Sequence, residues 1–95
     1  MIDKNTARKT VEDYINSSYH VEGDSLVILD EETLQKDYGW IFFYTSRRYL
    51  ETNLISHMLA GNGPIVVEKE SGALTQLSTA MPLQESIRDY EARRK

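Results

Sequence analysis

Residues 40–46, with the sequence WIFFYTS, constrain the fold of this 95-residue chain more than any other stretch. Aromatic and β-branched residues in such a run favour an extended strand. Successive side chains of a strand point to opposite faces, so this strand has two sets of apolar side chains. One set is Trp40, Phe42 and Tyr44, and the other is Ile41 and Phe43. The pattern predicts a central strand that is covered on both faces.

A helix is predicted upstream of this strand, over residues 4–18. Asp3 is a good N-cap, and Ile2 and Ala7 are spaced as a hydrophobic staple around it. Helical periodicity places a set of residues on one face that would pack against the sheet. These are Ala7, Val11, Tyr14, Ile15 and Ser18.

Three further strands are predicted, over residues 25–30, 64–70 and 73–79. Ser71-Gly72 is typical of a tight hairpin between the last two. Residues 31–39 are polar and indicate a turn, whereas residues 47–61 allow an irregular helix that ends at Gly61.

A last helix is predicted to begin at Pro82, because proline is well tolerated in the first turn of a helix. Its expected buried stripe is Leu83, Ile87 and Tyr90, at helical spacing. The resulting order is α-β-β-(α)-β-β-α. Short connections favour a small antiparallel sheet of about four strands with the N- and C-terminal helices packed on it, an α+β fold with two layers in one domain over residues 1–95. Either residues 47–61 or another protein would cover the second face of strand 40–46.

The composition is typical of a globular protein, with 40% hydrophobic and 27% charged residues, no cysteine and no membrane-spanning run. The first ten residues do not resemble a secretory signal, so we expect a cytoplasmic protein. An apolar outer sheet face would permit a homodimer.

The net charge of −4 is concentrated in residues 22–37, where Lys36 is the only base. The acids of this stretch are Glu22, Asp24, Asp30, Glu31, Glu32 and Asp37. Such a stretch argues against nucleic acid as the main partner, because phosphate binding needs clustered bases. It fits either a basic protein partner or a solvated loop.

No motif indicates catalysis. The glycines of LAGNGP (residues 59–64) lead into a strand and lack the Lys-Ser or Lys-Thr of a phosphate-binding loop, and Pro64 removes a backbone donor. His20 and His57 have no partner at metal-binding spacing. Carboxylates at residues 30–32 could bind a divalent cation, but their spacing matches no EF-hand. We therefore expect a binding protein rather than an enzyme, with no cofactor and no metal.

Three stretches together resemble the immunity protein 35 family, which also contains YrhB-like proteins. They are WIFFYTSRRYLET (residues 40–52), LAGNGPIVVEKESGAL (59–74) and LSTAMPLQESIRDYE (77–91). The chain departs from the family pattern at Asn53, where the family often has glycine.

The resemblance implies a small bacterial cytoplasmic protein that binds and neutralises a cognate polymorphic toxin in the producing cell, with no catalytic residues. The YrhB-like branch implies an alternative, a small stress-related holdase chaperone or general interaction module. The matching motifs consist mostly of core and turn residues, so the partner surface is expected elsewhere. The predicted partner-binding residues are the six acids of residues 22–37 together with Tyr38 as an aromatic anchor.

Overall fold

Three helices and six short strands make up the described part of the fold. A computed structural model describes residues 1–17, 19–52 and 63–94. The elements, in chain order, are α1 (Lys4–Ser17), β1 (Leu26–Ile28), a 3₁₀ turn (Asp30–Glu32), β2 (Leu34–Lys36), β3 (Gly39–Phe42), β4 (Tyr44–Ser46), α2 (Arg47–Thr52), β5 (Ile65–Glu68), β6 (Leu74–Gln76) and α3 (Leu83–Arg93).

Four of the strands form one antiparallel sheet in the order β2-β3-β5-β6, and β1 pairs with β4 in a separate two-stranded ribbon. In the main sheet, Trp40 lies opposite Val67, and Val66 lies opposite Thr75. The predicted α+β class, with a small antiparallel sheet and terminal helices, is confirmed. No helix in the described part of the chain is long and apolar enough to cross a bilayer.

Helix α1 covers one face of the sheet. Asp3 caps it as predicted, because its Oδ1 accepts a hydrogen bond from the Thr6 N–H at 2.8 Å. A continuous apolar core joins the helix to the sheet and to the ribbon. This core consists of Ala7, Val11, Ile15, Leu26, Ile28, Trp40, Phe42, Tyr44, Ile65 and Val67. The predicted inward face of the helix is confirmed for its aliphatic members, but Tyr14 is 49% exposed, and Ser18 lies outside the described residues.

Helix α3 covers the opposite face of the sheet. A second core contains Ile41, Val66, Leu77 and Ile87, with Phe43 and Tyr90 packed against it. The two terminal helices therefore lie on opposite faces, and the domain has three layers where two were expected. The second face of the aromatic strand is covered by α3, and most of the segment that was expected to cover it, residues 53–61, lies outside the described residues.

The alternation of side chains along residues 40–44 is confirmed, but the strand is broken. Phe43 separates β3, which belongs to the main sheet, from β4, which pairs with β1. The predicted turn over residues 31–39 was wrong in part, because β2 lies within it and pairs with β3. The stripe predicted for the last helix also needs correction, since Leu83 is 39% exposed and the buried Ser86 donates a hydrogen bond to the Ser78 carbonyl.

The glycine at position 63 is required by close packing of two backbone segments. A β-carbon at Gly63 would lie 1.8 Å from the Leu77 carbonyl oxygen. Next to this contact the Leu77 N–H donates to the Pro64 carbonyl at 2.8 Å, which extends the pairing of β5 with β6. The backbone of Gly63 does not have a positive φ, so the close packing alone accounts for glycine at this position. The remainder of LAGNGP, including Gly61, and also His57 lie outside the described residues.

Candidate partner-binding site

The acidic stretch does not form one continuous patch. Glu22 and Asp24 precede β1 near the start of α2, and the acids of the 3₁₀ turn lie beside α1. Asp37 and Tyr38 form the turn between β2 and β3, on the side of α3. The fold thus distributes the predicted site residues over three environments.

Asp24 is a structural residue that holds the start of α2. Its Oδ1 accepts hydrogen bonds from the backbone N–H groups of Ser25 and Arg48, at 2.8 and 3.0 Å. Its Oδ2 accepts from the hydroxyls of Ser46 at 2.5 Å and Tyr19 at 2.8 Å. Burial opposes ionisation of the carboxyl, but these hydrogen bonds outweigh it and hold the pKa of Asp24 well below its ordinary value.

We expect Asp24→Asn to lower stability at pH 7 and to reduce its acid sensitivity. A carboxyl with a depressed native pKa stabilises the fold above its unfolded pKa of about 4, and this stabilisation is lost as pH falls towards the native value. Denaturant unfolding at pH 7 and pH 3 checks this. The loss of stability between these two pH values should be smaller in Asp24→Asn than in the wild type. Asp37→Asn is the control, because Asp37 is exposed, and an equal acid sensitivity in all three proteins would contradict the prediction.

Asp30 is neutralised within the fold. The Arg8 guanidinium donates to both of its carboxylate oxygens, Nε to Oδ1 at 2.6 Å and Nη2 to Oδ2 at 3.0 Å. This bidentate pair lowers the pKa of Asp30 and ties the 3₁₀ turn to α1. The carboxylate of Asp30 therefore contributes little net negative charge to the surface.

Three carboxylates remain exposed along β2. Glu31 and Glu32 lie at its start, Asp37 lies at its end, and none of the three forms an ion pair with a described residue. The one base of this stretch, Lys36, is directed to α3, with its Nζ 3.5 Å from the Glu91 carboxylate. We call Glu31, Glu32 and Asp37 the acidic edge. Glu22 is also exposed but lies apart, before β1.

Tyr38 is half-buried and is part of a polar cluster with α3. Its hydroxyl donates to the Glu91 carboxylate at 2.8 Å, and its ring lies 5.8 Å from that of Tyr90. The Arg94 guanidinium lies over the same ring, 4.2 Å from its centroid. Burial, followed by the hydrogen bond to Glu91, raises the pKa of Tyr38.

Glu68 completes this cluster. Its carboxylate accepts two hydrogen bonds from Arg94, at 2.7 and 2.8 Å, and one from the Tyr90 hydroxyl. The contact with Arg94 lowers the pKa of Glu68, whereas burial and the bond to Glu68 raise the pKa of Tyr90 to about 12. At pH 7 the Glu68 carboxylate is therefore negative, the Arg94 guanidinium is positive and the tyrosine hydroxyls are neutral. Their contacts hold the end of α3 against β5.

Sequence reasoning missed this cluster although a signal for it was present. Tyr90 and Arg94 are four residues apart on α3 and so lie on one helical face. Glu68 follows Val66 by two residues and shares its side of the sheet. What could not be read from these spacings was that α3 covers that side.

The described residues contain no group of three or more histidines and carboxylates that could hold a metal ion. The carboxylates of Asp24, Asp30 and Glu68 are instead engaged with hydroxyls or bases, whereas the neighbouring Glu31 and Glu32 are exposed. The arrangement is suited to protein contact through charge.

Comparison with known families decides the relationship of this chain. The model of immunity protein 35 matches residues 5–92. The chain belongs to the immunity protein 35 family. Membership supports an immunity-protein role in general, and a toxin as the class of partner.

Among curated proteins, the chain is similar to the uncharacterized protein YrhB of Escherichia coli strain K12. It is 43% identical over 56 residues, which are 59% of this chain and 60% of YrhB. The alignment thus spans less than two thirds of that relative. No solved structure matches this chain.

Proposed function

We propose that this immunity protein 35 family member binds and neutralises a cognate toxin in the producing cell, without catalysis, through its acidic edge. The match of the family model from residue 5 to residue 92 is the observation that carries the proposal. The three stretches that carry the resemblance, residues 40–52, 59–74 and 77–91, consist largely of core and turn residues, which favours a partner surface in the rest of the matched region, where the acidic edge lies.

The charge of the acidic edge supports its role in binding. Glu31, Glu32 and Asp37 are exposed and unneutralised by described residues, whereas Arg8 neutralises Asp30 and Asp24 is used within the fold. A basic toxin surface would be attracted to the edge before contact, which accelerates association and selects the orientation of the complex.

Co-expression with the cognate toxin, which is to be sought first among the products of the neighbouring genes, tests the proposed function. We expect the wild-type chain to restore growth of cells that produce this toxin and to leave an unrelated toxin active. Failure to restore growth, with both proteins detected at normal levels, would contradict the proposal.

A pair of double variants tests the binding surface. Glu31→Lys/Glu32→Lys reverses two charges of the acidic edge, and Glu70→Lys/Glu85→Lys reverses two exposed glutamates elsewhere. Both variants change the net charge from −4 to 0. We expect the first to weaken toxin binding about 10- to 100-fold, chiefly through slower association, and the second to change it about twofold or less.

Binding of each double variant to toxin immobilised on a surface is measured at low salt, and circular dichroism checks that the variants are folded. Equal binding by the two double variants would show that only net charge matters and would exclude the acidic edge as the contact surface.

A further inference from the structure

In the part of the chain that the structure describes, strand β6 lies at an edge of the main sheet. Among the described strands it pairs only with β5, and its last two residues, Thr75 and Gln76, are exposed. A groove of about 150 Å³ lies between this strand and α3, and it is lined by residues that include Met81, Asp89 and Arg93. Strand β6 and this groove lie at the opposite edge of the sheet from β2, which carries the acidic edge.

The hydrogen bonds to β5 determine which backbone groups of β6 point outward. The Glu68 N–H donates to the Ala73 carbonyl at 3.0 Å, and the Leu77 N–H donates to the Pro64 carbonyl at 2.8 Å. In an antiparallel ladder the bonding direction alternates from residue to residue, so Thr75 also bonds inward. The N–H and C=O groups of Leu74 and Gln76 therefore point away from β5.

This edge is self-complementary. A twofold axis through Thr75, perpendicular to the sheet, places Leu74 of one copy opposite Gln76 of the other in an antiparallel pair. Each such pair exchanges both of its backbone bonds, which gives about four hydrogen bonds across the axis. A bonded edge also avoids the exposure of unpaired strand groups.

The charges on α3 favour a second copy over other occupants. Asp89 and Arg93 are one turn apart, form an ion pair with each other and line the groove beside β6. A twofold axis makes the two copies of α3 antiparallel, so that Asp89 of one copy faces the end of the other helix that carries Arg93. Two ion pairs between the copies, each joining Asp89 of one copy to Arg93 of the other, then accompany the paired strands.

We propose that this protein forms a twofold homodimer in which β6 pairs antiparallel with β6 of a second copy. The main sheet then continues through the dimer as eight strands, and the two acidic edges lie at its outer ends. The dimer does not depend on the proposed toxin-binding function, because it uses the other edge of the sheet.

Charge complementation tests the proposal with the full chain. Sedimentation equilibrium should give a dimer for the wild type at micromolar concentration. Asp89→Lys and Arg93→Glu each place like charges in both intermolecular positions and should raise the dimer dissociation constant about tenfold or more. An equimolar mixture of the two variants restores both opposite-charge pairs, and its dimer should regain a dissociation constant near that of the wild type.

A second pair of variants tests the strand edge itself. Gln76→Pro removes an outward N–H while leaving the inward bonds of Thr75 and Leu77, and proline is tolerated at such an edge. Gln76→Ala is the matched control, since both variants lose the side-chain bonds from Gln76 to Tyr44 and the Gly63 carbonyl. We expect the proline variant to be a folded monomer and the alanine variant a dimer.

A wild type that remains monomeric throughout the micromolar concentration range would overturn the proposal. So would a dimer that survives both charge variants unchanged, or a mixture of the charge variants that dimerises no better than either alone.

Discussion

Phe42→Ala should lower the free energy of unfolding by about 3–5 kcal/mol and the Tm by more than about 12 °C. Phe42 is fully buried and lies in the core between β3 and α1. Its loss removes a large apolar surface from that core and leaves a cavity that the surrounding helix and strands fill only in part. Guanidinium unfolding of wild type and variant measures the difference.

Tyr14→Ala is the control for this substitution. It also removes an aromatic ring, but Tyr14 is 49% exposed, and alanine favours the helix. We expect a loss of no more than about 1 kcal/mol. Equal losses in the two variants would contradict the packing of α1 against the face of the aromatic strand that carries Trp40, Phe42 and Tyr44.

Gly63→Ala should destabilise the protein by about 2–3 kcal/mol, a large effect for the addition of one methyl group. The new β-carbon would meet the Leu77 carbonyl oxygen at 1.8 Å, so one of the two backbone segments must move. Movement breaks the adjacent hydrogen bond from Leu77 to Pro64 and loosens the end of β6. Thermal and denaturant unfolding measure the loss.

Gly23→Ala separates this packing effect from backbone strain. Gly23 has a φ of +77° and no atom within 4 Å of an added β-carbon. Alanine at position 23 therefore meets only the cost of a left-handed backbone, about 1 kcal/mol. A greater loss for Gly23→Ala than for Gly63→Ala would show that close packing is not what requires glycine at position 63.

The core was predictable where the alternation of side chains is strong. The two sets of apolar residues in WIFFYTS correctly predict that both faces of the sheet are covered, because apolar side chains on each face must be buried against another element. The break at Phe43 was not predictable, because residues on both sides of it favour strands and only tertiary pairing separates β3 from β4. Strand β2 was missed because it is short, mostly polar and at an edge.

The candidate site was less predictable, because proximity in sequence was a poor guide to proximity in space. Six acids within 16 residues suggested one surface, but their roles depend on bases supplied from elsewhere. Arg8 on α1 neutralises Asp30, and Lys36 turns towards Glu91 on α3. Tyr38 was predicted as a partner anchor, and its contacts with Arg94 and Tyr90 come from a helix more than 50 residues later.

The two proposed contacts are compatible because they use different edges of one sheet. The order β2-β3-β5-β6 places the acidic edge at one side and the β6 edge at the other. A dimer through β6 would therefore leave both acidic edges open, and one dimer could hold two toxin molecules. Variants at Asp89 or Arg93 should then change the complex from two chains with two toxin molecules to one chain with one toxin molecule. The affinity of each site for toxin should stay the same.

Inhibition of the purified toxin by the purified chain tests the central claim most directly. The activity of the cognate toxin is measured while wild type, Glu31→Lys/Glu32→Lys or Glu70→Lys/Glu85→Lys is added in turn. We predict that wild type and Glu70→Lys/Glu85→Lys abolish activity at one chain per toxin, whereas Glu31→Lys/Glu32→Lys requires about 10- to 100-fold more protein. Undiminished toxin activity in an excess of the wild-type chain, or equal inhibition by the two double variants, would contradict the account.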